Sequence, residues 1–186
     1  MDKEKIDLIS KEVYKRCISE ENFFGIGAFY HIESVVKNAV FLAKIYNADI
    51  EIVTLAAWLH DIASVTNYEL YEDHHIHGVK IAEKILSDLE YDNEKIEHVK
   101  KCILNHRGSV LNEKETVEEK CIADADSISH FDNVPSLFNL AFVVRKYSIS
   151  DGEKFVKDKL IRSYNKLSPE SKKIYKNKYN SVMEIF

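Results

Sequence analysis

Ile52-Val53-Thr54-Leu55-Ala56-Ala57-Trp58-Leu59-His60-Asp61 joins a run of mostly apolar residues to an imidazole and a carboxylate. A segment that is apolar nearly all round belongs on a helix buried from several sides. A histidine and an aspartate closing such a segment are costly to bury without a compensating partner, and a divalent metal is the commonest one. Upstream, His31 stands on a strongly periodic segment, and downstream Asp126 ends Ala123-Asp124-Ala125-Asp126. The resulting H…HD…D set, two imidazoles and two carboxylates, suits a hydrolytic metal.

Composition agrees with a helical setting. Only 5 Gly and 2 Pro occur in 186 residues, so little interrupts long helices joined by short connections. The expected fold is an all-α, single-domain bundle over 1–186, with the motif-bearing core at about 28–130 and helices 136–186 packed on it. A net charge of −5 with acids and bases interleaved argues against a nucleic-acid partner. The Lys-rich stretch Lys172–Lys178 reads as the solvated face of an amphipathic terminal helix. Cys17, Cys102 and Cys121 lack CxxC spacing and read as reduced thiols filling the core. With no apolar leader and no run long enough to span a bilayer, the chain is expected to be cytoplasmic with no membrane partner.

Working outward, periodicity predicts helices over 2–20, 29–46 and 50 to about 63, the last capped by Asp49. Residues 22–28 place two glycines among aromatics, a packed loop suited to lie across a site, and 64–73 reads as a second loop. A fourth helix ends near Glu90, a fifth carries His106 and stops at Gly108, and a sixth follows the capping box Thr116–Glu119. Further helices fit 136–147, 151–166 and 169–184, with Pro135 and Pro169 at helix starts.

A hydrolytic metal needs ligands that hold it while leaving a coordination position open for water. Neighbours on a regular helix point about 100° apart, so His60 and Asp61 can grip one ion only where other ligands meet them across a bundle. His31 and Asp126 would supply those ligands. Taken singly each residue has a plainer reading: a lone histidine on an apolar helix is more often a hydrogen-bonded core residue. The combination carries the metal reading.

His31-Ile32-Glu33-Ser34-Val35-Val36-Lys37-Asn38-Ala39, Leu55-Ala56-Ala57-Trp58-Leu59-His60-Asp61-Ile62-Ala63 and Ala125-Asp126-Ser127-Ile128 resemble the motifs of the HD-domain metal-dependent phosphohydrolases. The resemblance covers about residues 28–130. It implies a divalent ion (Mn, Fe, Zn, Co, Ni or Mg) on His31, His60, Asp61 and Asp126. It also implies water as the nucleophile, activated by the ion, with Asp61 as the catalytic residue that orients or deprotonates it. The substrate class would be a phosphate ester or anhydride of a small nucleotide or phosphorylated metabolite. The alternative is a catalytically silent metal-binding or ligand-sensing module.

Asp73-His74-His75-Ile76-His77-Gly78 and Ile103-Leu104-Asn105-His106-Arg107-Gly108 resemble the segments that hold a second ion in a subset of the family. There, His106 with either His74 or His75 would bind that ion or the substrate, with Asp61 bridging. Helical arithmetic puts Asp124 nearer the apolar face than Asp126, whereas the family pattern selects Asp126, so Asp124 is expected to support the ligands from behind. Arg107 and Arg145 are candidate phosphate binders, each with a surface arginine as the plainer reading. His98 and His130 are expected to play no part.

Overall fold

Most helices of this chain start where a side chain can satisfy free amide groups at the amino end. The computed structural model describes residues 1–107 and 114–186. Asp2 caps α1 (Lys3–Cys17), Asp49 caps α3 (Ile50–Leu59) and Asp92 caps α6 (Asn93–Asn105). Thr116 caps α7 (Val117–Asp132), Ser148 caps α9 (Ile149–Lys166) and Ser168 caps α10 (Pro169–Met183). Between them lie α2 (Gly27–Tyr46), α4 (Ile62–Thr66), α5 (His74–Asp88) and α8 (Val134–Phe138). Gly108, expected to end the fifth helix, lies outside the described residues.

The fold is all-α, with no strand among the described residues. The apolar run makes α3 the buried centre: Val53, Leu55, Ala56, Ala57 and Leu59 are all 0% exposed. α2 packs along both α3 and α7, α6 along α3 and α5, and α9 and α10 along α7. Alanines at the contacts, such as Ala39, Ala56, Ala82 and Ala125, are fully buried and let the helix axes approach closely. One continuous apolar core runs from Ile9 on α1 to Tyr175 on α10. The three cysteines are free thiols within it, as expected. No helix among the described residues is long and apolar enough to cross a membrane.

A polar tie crosses this core. Asn38 on α2 donates to the Asp132 carboxylate on α7 at 2.7 Å, and the Tyr175 hydroxyl on α10 donates back to Asn38 at 3.1 Å.

Four boundaries depart from the sequence-based reading. α1 ends at Cys17, where the Asn22 side chain donates to the Cys17 carbonyl at 2.8 Å and turns the chain. The helix expected over 50–63 is interrupted at Asp61, whose φ −106° and ψ 15° leave the helical region. The expected loop 64–73 is largely ordered by Asn67, which ends α4 and caps a 3-10 turn over Tyr68–Leu70. The regular helix expected over 136–147 is instead α8 followed by a π-helical turn, Asn139–Val144.

That π-turn swings Phe142 against α9 at Gly152. A Cβ on Gly152 would lie 2.2 Å from the Phe142 ring, so only glycine admits this approach. Gly152→Ala is therefore expected to push the outer edge of the exposed Phe142 ring aside and to destabilise the protein by about 1 kcal/mol, the low end for overpacking. A urea midpoint equal to that of the parent protein would show that the corner packs some other way.

Candidate metal centre

The interruption at Asp61 makes the site possible. On a continuous helix His60 and Asp61 would diverge; the break brings His60 Nε2 to 3.5 Å from Asp61 Oδ2. Around this pair gather His31 from α2, His74 from the first turn of α5, His106 from the end of α6 and Asp126 from α7. All but the fully buried His60 line one cavity of about 350 Å³. That volume is at the small end of the range for small-molecule sites.

The orientation of each ring follows from its neighbour. His60 Nδ1 donates to the Ala57 carbonyl at 2.8 Å, His74 Nδ1 to the Tyr71 carbonyl at 2.7 Å and His106 Nδ1 to the Ile103 carbonyl at 2.6 Å. A carbonyl only accepts, so Nδ1 carries a proton and Nε2 is the nitrogen that each ring turns toward the cluster. For His31 the partner is the Ser129 hydroxyl, at 2.8 Å. That hydroxyl already donates to the Asp126 carbonyl at 2.6 Å, so it accepts from His31 Nδ1 and leaves Nε2 facing the cluster.

These four Nε2 atoms converge on two carboxylates. His31 Nε2 lies 3.3 Å from Asp126 Oδ1 and 3.8 Å from Asp61 Oδ2. His74 Nε2 lies 3.4 Å from Asp61 Oδ1 and 3.2 Å from His106 Nε2. His60 Nε2 is buried with no hydrogen-bond partner. Protonating one ring would relieve one of these contacts; a cation would relieve them all. The donors fall into two groups, His31–His60–Asp126 and Asp61–His74–His106, with donor atoms within 4.8 Å of one another in each. Nitrogen and carboxylate donors at this spacing fit a divalent ion. Asp61 touches both groups, Oδ2 toward the first and Oδ1 toward the second.

Electrostatics point the same way. Burial pushes the Asp61 carboxyl up, but His60, His74 and His31 around it more than offset this and hold it below its usual range. Asp126 is held well below the usual range too, with its own burial outweighed chiefly by the contact with His31. Burial, then the neighbouring His60, pushes His106 down to about 3.

The remaining candidates separate cleanly. His74 reaches the cluster, whereas His75 packs edge-on against it with ring centroids 5.8 Å apart and does not line the cavity. Arg107 lines the rim and donates to the Glu72 carbonyl. Arg145 lines it too, bonded to the Tyr147 hydroxyl at 3.0 Å and lying over Phe155 at 5.2 Å. Asp124 is a correction. It is indeed the more buried of the two α7 aspartates, but it turns away from the cluster to accept from the Ser168 amide at 2.9 Å and hydroxyl at 2.5 Å, anchoring the start of α10.

His130 is a second correction. Expected to be a bystander, it is buried in the cavity wall with its ring 4.9 Å from that of His31 and its Nδ1 3.2 Å from the Ser163 hydroxyl. The signal was present, since His130 stands four residues after Asp126 and shares its helix face. Phe24, from the aromatic loop before α2, lines the cavity and packs on Tyr71 at 5.0 Å.

Two measurements follow. His74→Ala should lower the divalent metal retained after gel filtration, read by elemental analysis, while His75→Ala leaves it unchanged; equal losses would mean that the first turn of α5 is rotated. His106, and His130 with it, stay neutral when folded but take up protons near pH 6.5 when unfolded. The unfolded chain then binds more protons, so stability is full above that pH and falls as acid is added. The urea midpoint of chelator-treated protein should drop between about pH 7 and pH 5; a flat profile would contradict neutral buried rings.

A model of the HD domain family matches residues 28–130. Among solved structures, Bacillus subtilis YpgQ in complex with ADP is similar with a TM-score of 0.69 at 17% identity, over 97% of this chain and 93% of that one. A predicted HD superfamily hydrolase from an uncultured Thermotogales bacterium is similar with a TM-score of 0.55 at 22% identity, over 84% of each chain. At those identities the likeness bears on the fold. No curated protein matches the sequence. The family match spans more than half of the chain and contains His31, His60, Asp61 and Asp126, and the protein belongs to the HD domain family.

Proposed function

We propose that this protein is a metal-dependent phosphohydrolase that cleaves a phosphate ester or anhydride of a small nucleotide or related phosphorylated metabolite. The observation that carries the reading is the convergence of four histidine Nε2 atoms on Asp61 and Asp126 in a cavity of ligand size. The first ion would be held by His31, His60, Asp61 and Asp126, and a second by His74 and His106 with Asp61 shared between them. A divalent ion so held polarises a phosphoryl oxygen and lowers the pKa of water.

The chain's own groups do the rest. Asp61 faces both groups of donors, and its carboxylate would hold and orient the attacking water between them. Ser129 fixes the ring of His31, and the carbonyls of Ala57, Tyr71 and Ile103 fix the other three. Such support from behind keeps donors aligned while charge develops. Arg107 and Arg145 on the rim take phosphate oxygens, a task for which the planar guanidinium is suited. The ADP bound to YpgQ supports a nucleotide as the ligand here.

The test is a screen of metal-loaded protein against model phosphodiesters, phosphomonoesters and nucleoside triphosphates. Turnover of at least one class is expected, and Asp61→Asn should reduce it by roughly 10²-fold or more, since an amide is a poorer ligand for ions that the carboxylate would share. No product from any of them at full metal loading would move the assignment to a metal-binding or ligand-sensing module.

A further inference from the structure

α9 lies beyond the stretch matched by the family model, yet it builds one wall of the same cavity. Its charges are sorted by face. Lys159, Arg162 and Lys166, spaced i, i+3, i+7, line the cavity together with Phe155 and Ser163. The acids of α9 look elsewhere: Asp158 pairs with Lys154 at 2.7 Å, and Asp151 accepts from the Ser148 hydroxyl at 2.6 Å. Among the described residues, none of the three cavity-facing cations forms an ion pair with a carboxylate. Lys159 is half-buried in that condition, while Arg162 and Lys166 are exposed. Asp126 and Asp61 attract Lys159 only from across the cavity, so a partly desolvated ammonium with no carboxylate in contact is costly to hold, and an anion beside it would offset the cost.

The length of the row says what kind of anion. From Lys159 to Lys166 the helix rises about 10 Å, longer than a single phosphoryl group. One phosphate held between the carboxylate–histidine cluster and the rim arginines would leave this row unused. A chain of linked phosphates, with several negative charges in series, would follow it.

We propose that this face of α9 is a subsite for a condensed phosphate chain, so that the cavity selects ligands carrying two or more linked phosphates over those carrying one. The inference rests on the phosphohydrolase reading for which bond is cut, but not for what binds. Lys159 and Arg162 are binding residues here, and they leave the metal to the cluster opposite.

The experiment is titration calorimetry on the full chain as purified, in saturating Mg²⁺, with orthophosphate, inorganic tripolyphosphate, AMP and a non-hydrolysable ATP analogue. Tripolyphosphate should bind at least roughly ten-fold tighter than orthophosphate, and the ATP analogue at least roughly ten-fold tighter than AMP. The double variant Lys159→Ala/Arg162→Ala should lose that preference with unchanged metal content and circular dichroism. Lys159→Arg/Arg162→Lys should keep it, as should Lys154→Ala on the outer face. Equal affinities for tripolyphosphate and the ATP analogue would show that the phosphate chain alone is read, and a tighter ATP analogue that the chain is read as a nucleotide tail; either supports the subsite. No preference for linked phosphates, or a preference that survives the double alanine variant, overturns it. Turnover measured on the same preparations separates the two readings. Hydrolysis of monoesters without any preference for linked phosphates would fell the subsite alone, whereas an α9-dependent preference without turnover of any compound would fell the phosphohydrolase alone.

Discussion

Three short hydrogen bonds govern this protein: His60 to Ala57, His74 to Tyr71 and His106 to Ile103. Each joins a ring to a main-chain carbonyl three residues earlier, and each sits at a helix end: His60 and His106 just past α3 and α6, and His74 in the turn that opens α5, where the Tyr71 carbonyl also accepts from the His74 amide at 3.3 Å. A backbone need and a side-chain tautomer are met by the same bond. The rings are thus aimed by the elements that carry them, and the donor set depends on the helices ending where they do.

The rest of the bundle serves to bring those ends together. The apolar run of α3 needs neighbours on all sides, and α2, α6 and α7 provide them. Packing them there carries His31, His106 and Asp126 to the break at Asp61. Farther out, the anchoring of Ser168 by Asp124 and the tie through Asn38, Asp132 and Tyr175 hold α10 against α7. α9 is placed in turn by its packing along α7, where Ser163 meets His130, and by the close approach of Phe142 to Gly152.

The residues that define the family were legible because their chemistry conflicts with their surroundings: a histidine and an aspartate ending an apolar helix demand an explanation. Helix starts were legible because the caps at Asp49 and Thr116 are local. What could not be read depended on contacts distant in sequence. His74 and His75 are adjacent in the first turn of one helix, and only the packing of α5 on α6 decides which meets His106. Asp124 was correctly placed toward the core, but the partner waiting there, Ser168, lies 44 residues away. The π-turn answers to a glycine on the following helix, and Lys159, Arg162 and Lys166 share a helix face whose surroundings no local pattern reveals.

The donors span the chain from His31 to Asp126 and arrive on five separate segments. Such a set cannot exist in a partly collapsed chain, because the last ligand is in place only when the distant helices have docked. An ion that needs all of them binds after the folding barrier is crossed and stabilises what lies beyond it. Bound metal should therefore act as a latch: it lengthens the lifetime of the native state and leaves the rate of reaching that state nearly untouched.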